Sequence, residues 1–239
     1  MIRNLLLGAV ALASATSASA VTNLVTNGSF EVTTNGIGQP DFNTTLVGWN
    51  NYDGYNFVVD SNIDSTGVQG VYGSLSLHGP NNGTANSLGV SPDGGLFFAA
   101  GGAFGVAPLQ QTLTGLTTGQ TYVVSFYWAA AQHFRFDGAT TEKWDVSFGG
   151  VTQSTAVYNN VDHGFGGWFS EKFRFTANDS TQVLSFLAVG TPDGLPPFSL
   201  LDGVSVAAVP EASTWAMLIA GFGLVGAAAR RRRMSTAAA

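Results

Sequence analysis

The sequence predicts an all-β protein, an antiparallel β-sandwich of jelly-roll type, flanked by an N-terminal signal peptide and a single C-terminal transmembrane helix. Three observations carry this. Helix formers are scarce between Val21 and Val209, where Gly, Thr, Ser, Asn, Val and Phe dominate. Turn pairs that tolerate positive φ recur along this body: Asn27-Gly28, Asn35-Gly36, Asp53-Gly54, Asn82-Gly83, Asp93-Gly94, Asp137-Gly138, Asp193-Gly194 and Asp202-Gly203. Between them lie short apolar runs with a period of two, the spacing that sends alternate side chains to one face of a sheet.

The ends come first. Residues 1–20 place Arg3 before an apolar run from Leu5 to Leu12 and finish in Ala18-Ser19-Ala20, the small-residue pattern that signal peptidase cuts. Residues 1–20 are therefore read as a signal peptide processed after Ala20, and residues 21–209 as the β-sandwich domain. Residues 210–239 form a tail, with an apolar helix over 215–229 and an arginine cluster at 230–233. As a helix the run spans about 22 Å, shorter than a bilayer core of about 30 Å.

Within the body, residues 121–129 (TYVVSFYWA) set Tyr122, Val124, Phe126 and Trp128 on one face and a second fairly apolar set on the other, as in a central strand. Residues 168–177 alternate Phe169, Phe173 and Phe175 inward with Ser170, Lys172, Arg174 and Thr176 outward. Residues 181–190 and 199–207 supply two more strands. Further strands are expected at Tyr55–Val59, Tyr72–Leu77, Leu109–Leu113, Trp144–Phe148 and Thr152–Tyr158, some eight to ten in all. Gly79 to Gly105 reads as a long surface loop carrying one short strand, Leu96–Ala100.

Composition excludes several functions. The body keeps only Arg135, Lys143, Lys172 and Arg174 against fourteen of the fifteen acids. Such a surface repels phosphate backbones, so nucleic acid is not an expected partner. Cysteine is absent, which removes disulfides and thiolate zinc sites from an exported chain. Of the acids outside turn pairs, Glu142 and Asp145 are the best placed for glycosidase chemistry, but three positions apart on a strand they need not share a face. His78, His133 and His163 show no metalloprotease spacing, and no G-x-S-x-G elbow occurs. The expectation is a non-catalytic protein.

Two resemblances sharpen this. Pro210-Glu211, Ser213-Thr214-Trp215, the glycine-bearing apolar run (Gly221, Gly223, Gly226) and Arg230–Arg233 resemble the PEP-CTERM sorting signal. The resemblance implies export from a Gram-negative bacterium and an inner-membrane-tethered intermediate. It also implies cutting near Pro210 and Glu211 by an exosortase-type membrane protease, and delivery to the outer surface or extracellular matrix. Ala212 stands where that signal usually has a second proline. The body is similar to carbohydrate-binding modules and galactose-binding-like jelly rolls in NLVTNGSFEV (residues 23–32), the later Gly48-Trp49, residues 109–129 and the closing FSLLDGVSV (residues 198–206). That resemblance implies a structural calcium ion held by Glu31 and Asp202, with backbone carbonyls near Gly28 and Ser29 as helpers.

Sugar sites stack an aromatic ring on the apolar face of a pyranose and surround it with planar amides. GWNNYDGYN (residues 48–56) has this character, and the ligand candidates are Trp49, Tyr52, Tyr55 and Trp144, with Tyr158 and Trp168 behind them. The expected function is an exported cell-surface or matrix protein that binds exopolysaccharide. The alternatives are a purely structural or adhesive biofilm-matrix component and a divergent polysaccharide hydrolase.

Overall fold

The computed structural model describes residues 22–63, 67–80, 88–210, 219–227 and 230. The expected signal peptide with Ala20, and Glu211 in the tail, lie outside the described residues. Residues 219–227 are helical and exposed. The expected transmembrane helix over 215–229 is corrected to that extent: among the described residues no helix is long and apolar enough to cross a membrane.

Among the described residues twelve strands form. They are β1 (Asn56–Val59), β2 (Val68–Gly70), β3 (Gly73–Leu75), β4 (Phe97–Gly101), β5 (Leu109–Thr114) and β6 (Thr121–Gln132), then β7 (Thr140–Phe148), β8 (Val151–Ser154), β9 (Tyr158–Asn160), β10 (Trp168–Thr176), β11 (Thr181–Thr191) and β12 (Pro197–Ala208). One sheet runs β1-β4-β12-β6-β10, the other β5-β11-β7-β8 with β9 also on β7, and β2-β3 is a separate hairpin. Every pairing between these strands is antiparallel. The molecule is an antiparallel β-sandwich.

The two sheets enclose a core built from their facing residues, among them Phe98, Trp128, Trp144, Phe186 and Leu201, together with Phe30 from the loop that precedes the first strand. A second core lies on the other face of the first sheet, where Phe57, Leu75, Leu77, Phe97 and Phe198 pack together. This explains why β1 and β4 are buried at every position and why β6 stops alternating after Trp128. Runs apolar on both faces belong to strands covered on both sides. The island in the Gly79–Gly105 stretch is thus an interior strand between β1 and β12 rather than a strand on a surface loop.

Elsewhere the expected strands hold with shifted ends. Thr152–Tyr158 divides into β8 and β9, both paired with β7. Tyr72 is exposed and outside β3, and β2 was not anticipated, because a three-residue strand with one buried apolar side chain has no readable period.

Candidate functional site

Trp144 is fully buried, donates its indole N–H to the Leu200 carbonyl (3.1 Å) and meets Phe186 edge-on. Trp49 is buried between Phe30 and Phe186, its N–H on the Asn27 carbonyl (2.9 Å). Tyr55 packs edge-on against Phe57. Trp144 is sealed in the core, which corrects the expectation that it contacts ligand. Trp49 and Tyr55 are buried in the main (9% and 6% exposed), each with an edge on a surface groove. A period-two strand puts every second aromatic into the core, and composition does not say which. Of the four, only Tyr52 is exposed, at 54%.

Its exposure has a local cause. Residues 51–54 turn tightly, the Gly54 N–H reaching the Asn51 carbonyl (3.2 Å), with Tyr52 and Asp53 both at positive φ (49° and 56°). Asn50 Oδ1 accepts the Tyr52 N–H (3.0 Å), and Asn50 exchanges both backbone hydrogen bonds with Gln110 on β5 (2.8 Å each). The 45–52 segment is thereby fastened to the open edge of the second sheet. Between it and the outer face of β5 and β11 lies an open groove of about 650 Å³, lined by Asn50, Tyr52, Gln110, Thr112 and Val183 among others. In that groove Gln110 donates to the Ser185 hydroxyl (3.2 Å), and the amide of Gln111 ties Gly48 and Thr26 to β5 from below.

The second candidate region lies where the start and end of the body meet. Val204 donates to the Gly28 carbonyl and Leu24 to the Val206 carbonyl (2.9 Å each). The approach is so close that a Cβ on Gly28 would run into the Val204 carbonyl oxygen. The loop that follows is held by Asn27, whose side chain bonds the backbone of Val32 and Val47, and it carries the buried Phe30 at φ 58°, a conformation rarely adopted by a bulky residue. Glu31 is thus held over residues 95–96, its Oε1 accepting the Leu96 N–H (2.7 Å).

Asp202 is fully buried and accepts from the Ser91 hydroxyl and from the Gly203 N–H (2.7 Å). Burial pushes its carboxyl up to about 7 against those hydrogen bonds, and the charges of Asp93 and Glu31 push the same way. The structure therefore brings Glu31 and Asp202 into one electrostatic neighbourhood and adds Asp93 and Ser91, which sequence reasoning missed. Among the described residues no cationic side chain pairs with any of these acids. Asp202 is a buried carboxylate without a counter-charge, with the exposed Glu31 and Asp93 beside it, an all-oxygen set of the kind that calcium takes. The Gly28 carbonyl, named as a helper, is engaged by Val204.

The acid pair of β7 separates. Glu142 faces inward, 1% exposed, accepting from Thr140 Oγ1 (2.5 Å). Burial drives its carboxyl up to about 8 in spite of hydrogen bonds from Thr140 and Asn160. Asp145 faces outward, bonded to Lys143 Nζ and Ser154 Oγ (2.6 Å each). Its partial burial raises its pKa, but the hydrogen bonds and charge of its partners outweigh this and hold the carboxyl below the usual range. On opposite faces of one sheet, the two carboxyls do not flank a common bond.

Among solved structures, the chain is similar to TmCBM61 in complex with β-1,4-galactotriose (15% identity, 79% of this chain and 99% of that one, TM-score 0.44). It is also similar to the CBM22-1 xylan-binding domain of Paenibacillus barcinonensis Xyn10C (15% identity, 82% and 100%, TM-score 0.40). No curated protein matches the sequence. At the other end of the chain the match is to a sorting signal: residues 208–233 carry the PEP-CTERM protein-sorting motif, the mark of an exported protein.

Proposed function

We propose that this is a non-catalytic, polysaccharide-binding protein of the cell surface or extracellular matrix, whose sugar site is the groove beside Tyr52. The observation that carries this reading is the groove's make-up. One exposed ring, set outward by a tight turn, stands beside the amides of Asn50 and Gln110 and the hydroxyl of Thr112. A ring face stacks on the apolar face of a pyranose while planar amides exchange hydrogen bonds with its hydroxyls. An open groove along a sheet also admits a chain rather than a free sugar end. Calcium bound by Glu31, Asp93 and Asp202 would lock the 27–32 loop to β12 and act structurally.

The route to that place is also part of the reading. Signal peptidase removes the leader, and the PEP-CTERM tail holds the chain at the inner membrane of a Gram-negative bacterium. An exosortase-type protease then cuts near Pro210, and the body passes to the outer surface or matrix.

Affinity electrophoresis against a panel of polysaccharides tests the groove. At least one glycan is expected to retard the protein, and Tyr52→Ala should weaken that binding about tenfold, the scale of one stacked ring. The melting temperature should stay within the small range typical of surface changes. If no glycan retards the protein, or Tyr52→Ala and Gln110→Ala both bind as the parent does, the proposal fails. The competing reading, an adhesive matrix component with no sugar site, rests on the exposed Phe42, Tyr72 and Phe104 (Tyr72–Phe104 5.5 Å), a surface suited to protein contact.

A further inference from the structure

A second groove shares the turn that presents Tyr52. It has a volume of about 410 Å³ and is lined by Asp41, Phe42, Asp53, Tyr72 and Phe104, with an edge of Tyr55 at its base. Tyr52 and Asp53 are consecutive in that turn, and each lines a different groove. The buried Gln39 fastens the second groove to the turn. Its Nε2 donates to the Gly54 carbonyl (3.4 Å), and its Oε1 accepts the Val71 N–H (2.7 Å).

Three loops bring the rings together. Tyr72 stands at the tip of the β2–β3 hairpin, where Gly70 pairs with Gly73. Phe104 follows β4, and its loop is fixed where the Gly105 carbonyl accepts the Tyr55 N–H (2.8 Å). Gly105 sits at φ 57°, and a Cβ there would run into the Tyr55 Cβ. Phe42 comes from the 39–44 turn, in which its N–H reaches the Gln39 carbonyl (3.2 Å). The Tyr72 ring lies 5.5 Å from Phe104 and 6.0 Å from Tyr55, and Phe104 lies 5.2 Å from Tyr55. Tyr72 nevertheless stays 72% exposed, and Phe42 and Phe104 are exposed too. Rings braced by their neighbours yet open to water form a platform that loses little freedom on binding.

Asp41 and Asp53 stand beside these rings, and among the described residues neither carboxylate has a hydrogen bond or an ion pair. That decides between classes of partner. A protein seated here would bury two unpaired acids, whereas the cores of protein interfaces are depleted of charge. A sugar chain offers apolar ring faces to the aromatics and hydroxyl donors to the carboxylates. Among the described residues no basic side chain lines either groove, and the body carries four basic residues against fourteen acids. A polysaccharide bearing acidic groups is repelled by such a surface.

We infer that this groove is a second sugar subsite and that the polysaccharide it takes is non-acidic. Tyr72 and Phe104 stack on pyranose faces, and Asp41 and Asp53 accept from sugar hydroxyls. The inference rests on the reading of the Tyr52 groove as a sugar site, and adds a second site and the charge class of the glycan. A long chain that engages both grooves gains from the high effective concentration of the second contact, so losing either groove lowers the affinity.

The test is affinity electrophoresis of the full chain, with glucan, galactan, mannan and xylan as neutral probes and alginate as an acidic one. At least one neutral glycan is expected to retard the protein, and alginate is not. On that glycan Tyr72→Ala should weaken binding between about two- and tenfold, the scale of one stacked ring. Asp41→Asn combined with Asp53→Asn keeps the shape and removes the charge, and should weaken binding about fivefold, the difference between a charged and a neutral acceptor. Glu171→Gln combined with Asp193→Asn removes as much charge elsewhere and should bind as the parent does. If Tyr52→Ala weakens binding while Tyr72→Ala and the Asp41, Asp53 double variant bind as the parent does, this subsite is wrong and the Tyr52 groove stands. If Tyr72→Ala weakens binding while Tyr52→Ala and Gln110→Ala do not, the Tyr52 reading falls and this groove stands. Equal retardation by alginate overturns the charge class, and no retardation by any probe overturns both sites.

Discussion

Two acidic corners of this molecule look alike in composition and differ in what surrounds their charge. At the seam of the body, Asp202 is sealed from water with Glu31 and Asp93 close by, and its carboxyl is driven up to about 7. At the histidine corner, Asp137 and Asp162 are exposed beside His163, and only the His78 imidazole stacked on His163 is buried. Among the described residues only this second corner holds three donor atoms within 4.8 Å of one another. The contrast teaches that burial, not the count of acids, decides what a carboxylate's charge costs: at the seam it is shut away from water, and at the histidine corner water and the His163 ring offset it.

The largest effect expected from this contrast is on stability. Calcium at a hundred times its Kd should stabilise the protein by about 2.7 kcal/mol, read as a rise in the chemical-denaturation midpoint that EGTA reverses. Asp202→Ala should abolish the response. A calcium response that survives in Asp202→Ala would break the assignment of the seam as the cation's structural site.

Next in size is a pH dependence, and Glu142 provides the control. Glu142 is buried like Asp202, yet no neighbouring carboxylate contributes to its shift. Both groups titrate higher in the folded chain than in the unfolded one, so the native state holds more protons and stability falls as pH rises. Without calcium, the Asp202 part is fully present below about 4 and lost by about 7, and the Glu142 part is present below about 4.5 and lost by about 8. Each group contributes at most about 1.4 kcal/mol per pH unit. Denaturation midpoints from pH 4 to 9 should show this decline. Saturating calcium should remove the Asp202 part alone, and Glu142→Gln the other. If calcium removes both, the two buried acids are not distinct.

The smallest effect concerns the pair on the outer face of β7. Lys143 and Asp145 are each about a quarter exposed (25% and 26%), and their 2.6 Å contact is open to water. Lys143→Ala should cost less than about 1 kcal/mol and weaken further in its effect at high salt. A larger loss would mean that the outer face of the second sheet is drier than its exposure implies.

Much of the sandwich is legible in the sequence because a strand writes its burial every second residue. Phe169, Phe173 and Phe175 read as the inward side of β10, and Ser170, Lys172, Arg174 and Thr176 as its outward side, and so they lie. The reading weakens where both faces are covered. Phe97 to Gly101 shows no alternation, and nothing local says that β1 and β12 flank it. The candidate sites divide the same way. GWNNYDGYN marks the right segment, but which of its rings is solvent-facing depends on a turn with two consecutive positive φ angles, in which Tyr52 has no glycine to announce it.

What the sequence determined by itself is what composition and short-range order can encode: strands and tight turns, an acidic cysteine-free body, and the sorting motif over 208–233, which is read as a linear string. Tertiary structure alone decided which polar groups lost their water. Asp202, Glu142 and His78 sit in unremarkable local sequence, and their altered proton affinities arise from strands and loops distant along the chain that close over them. Desolvation is set by the sum of all neighbours in space, and a one-dimensional pattern carries no record of that sum.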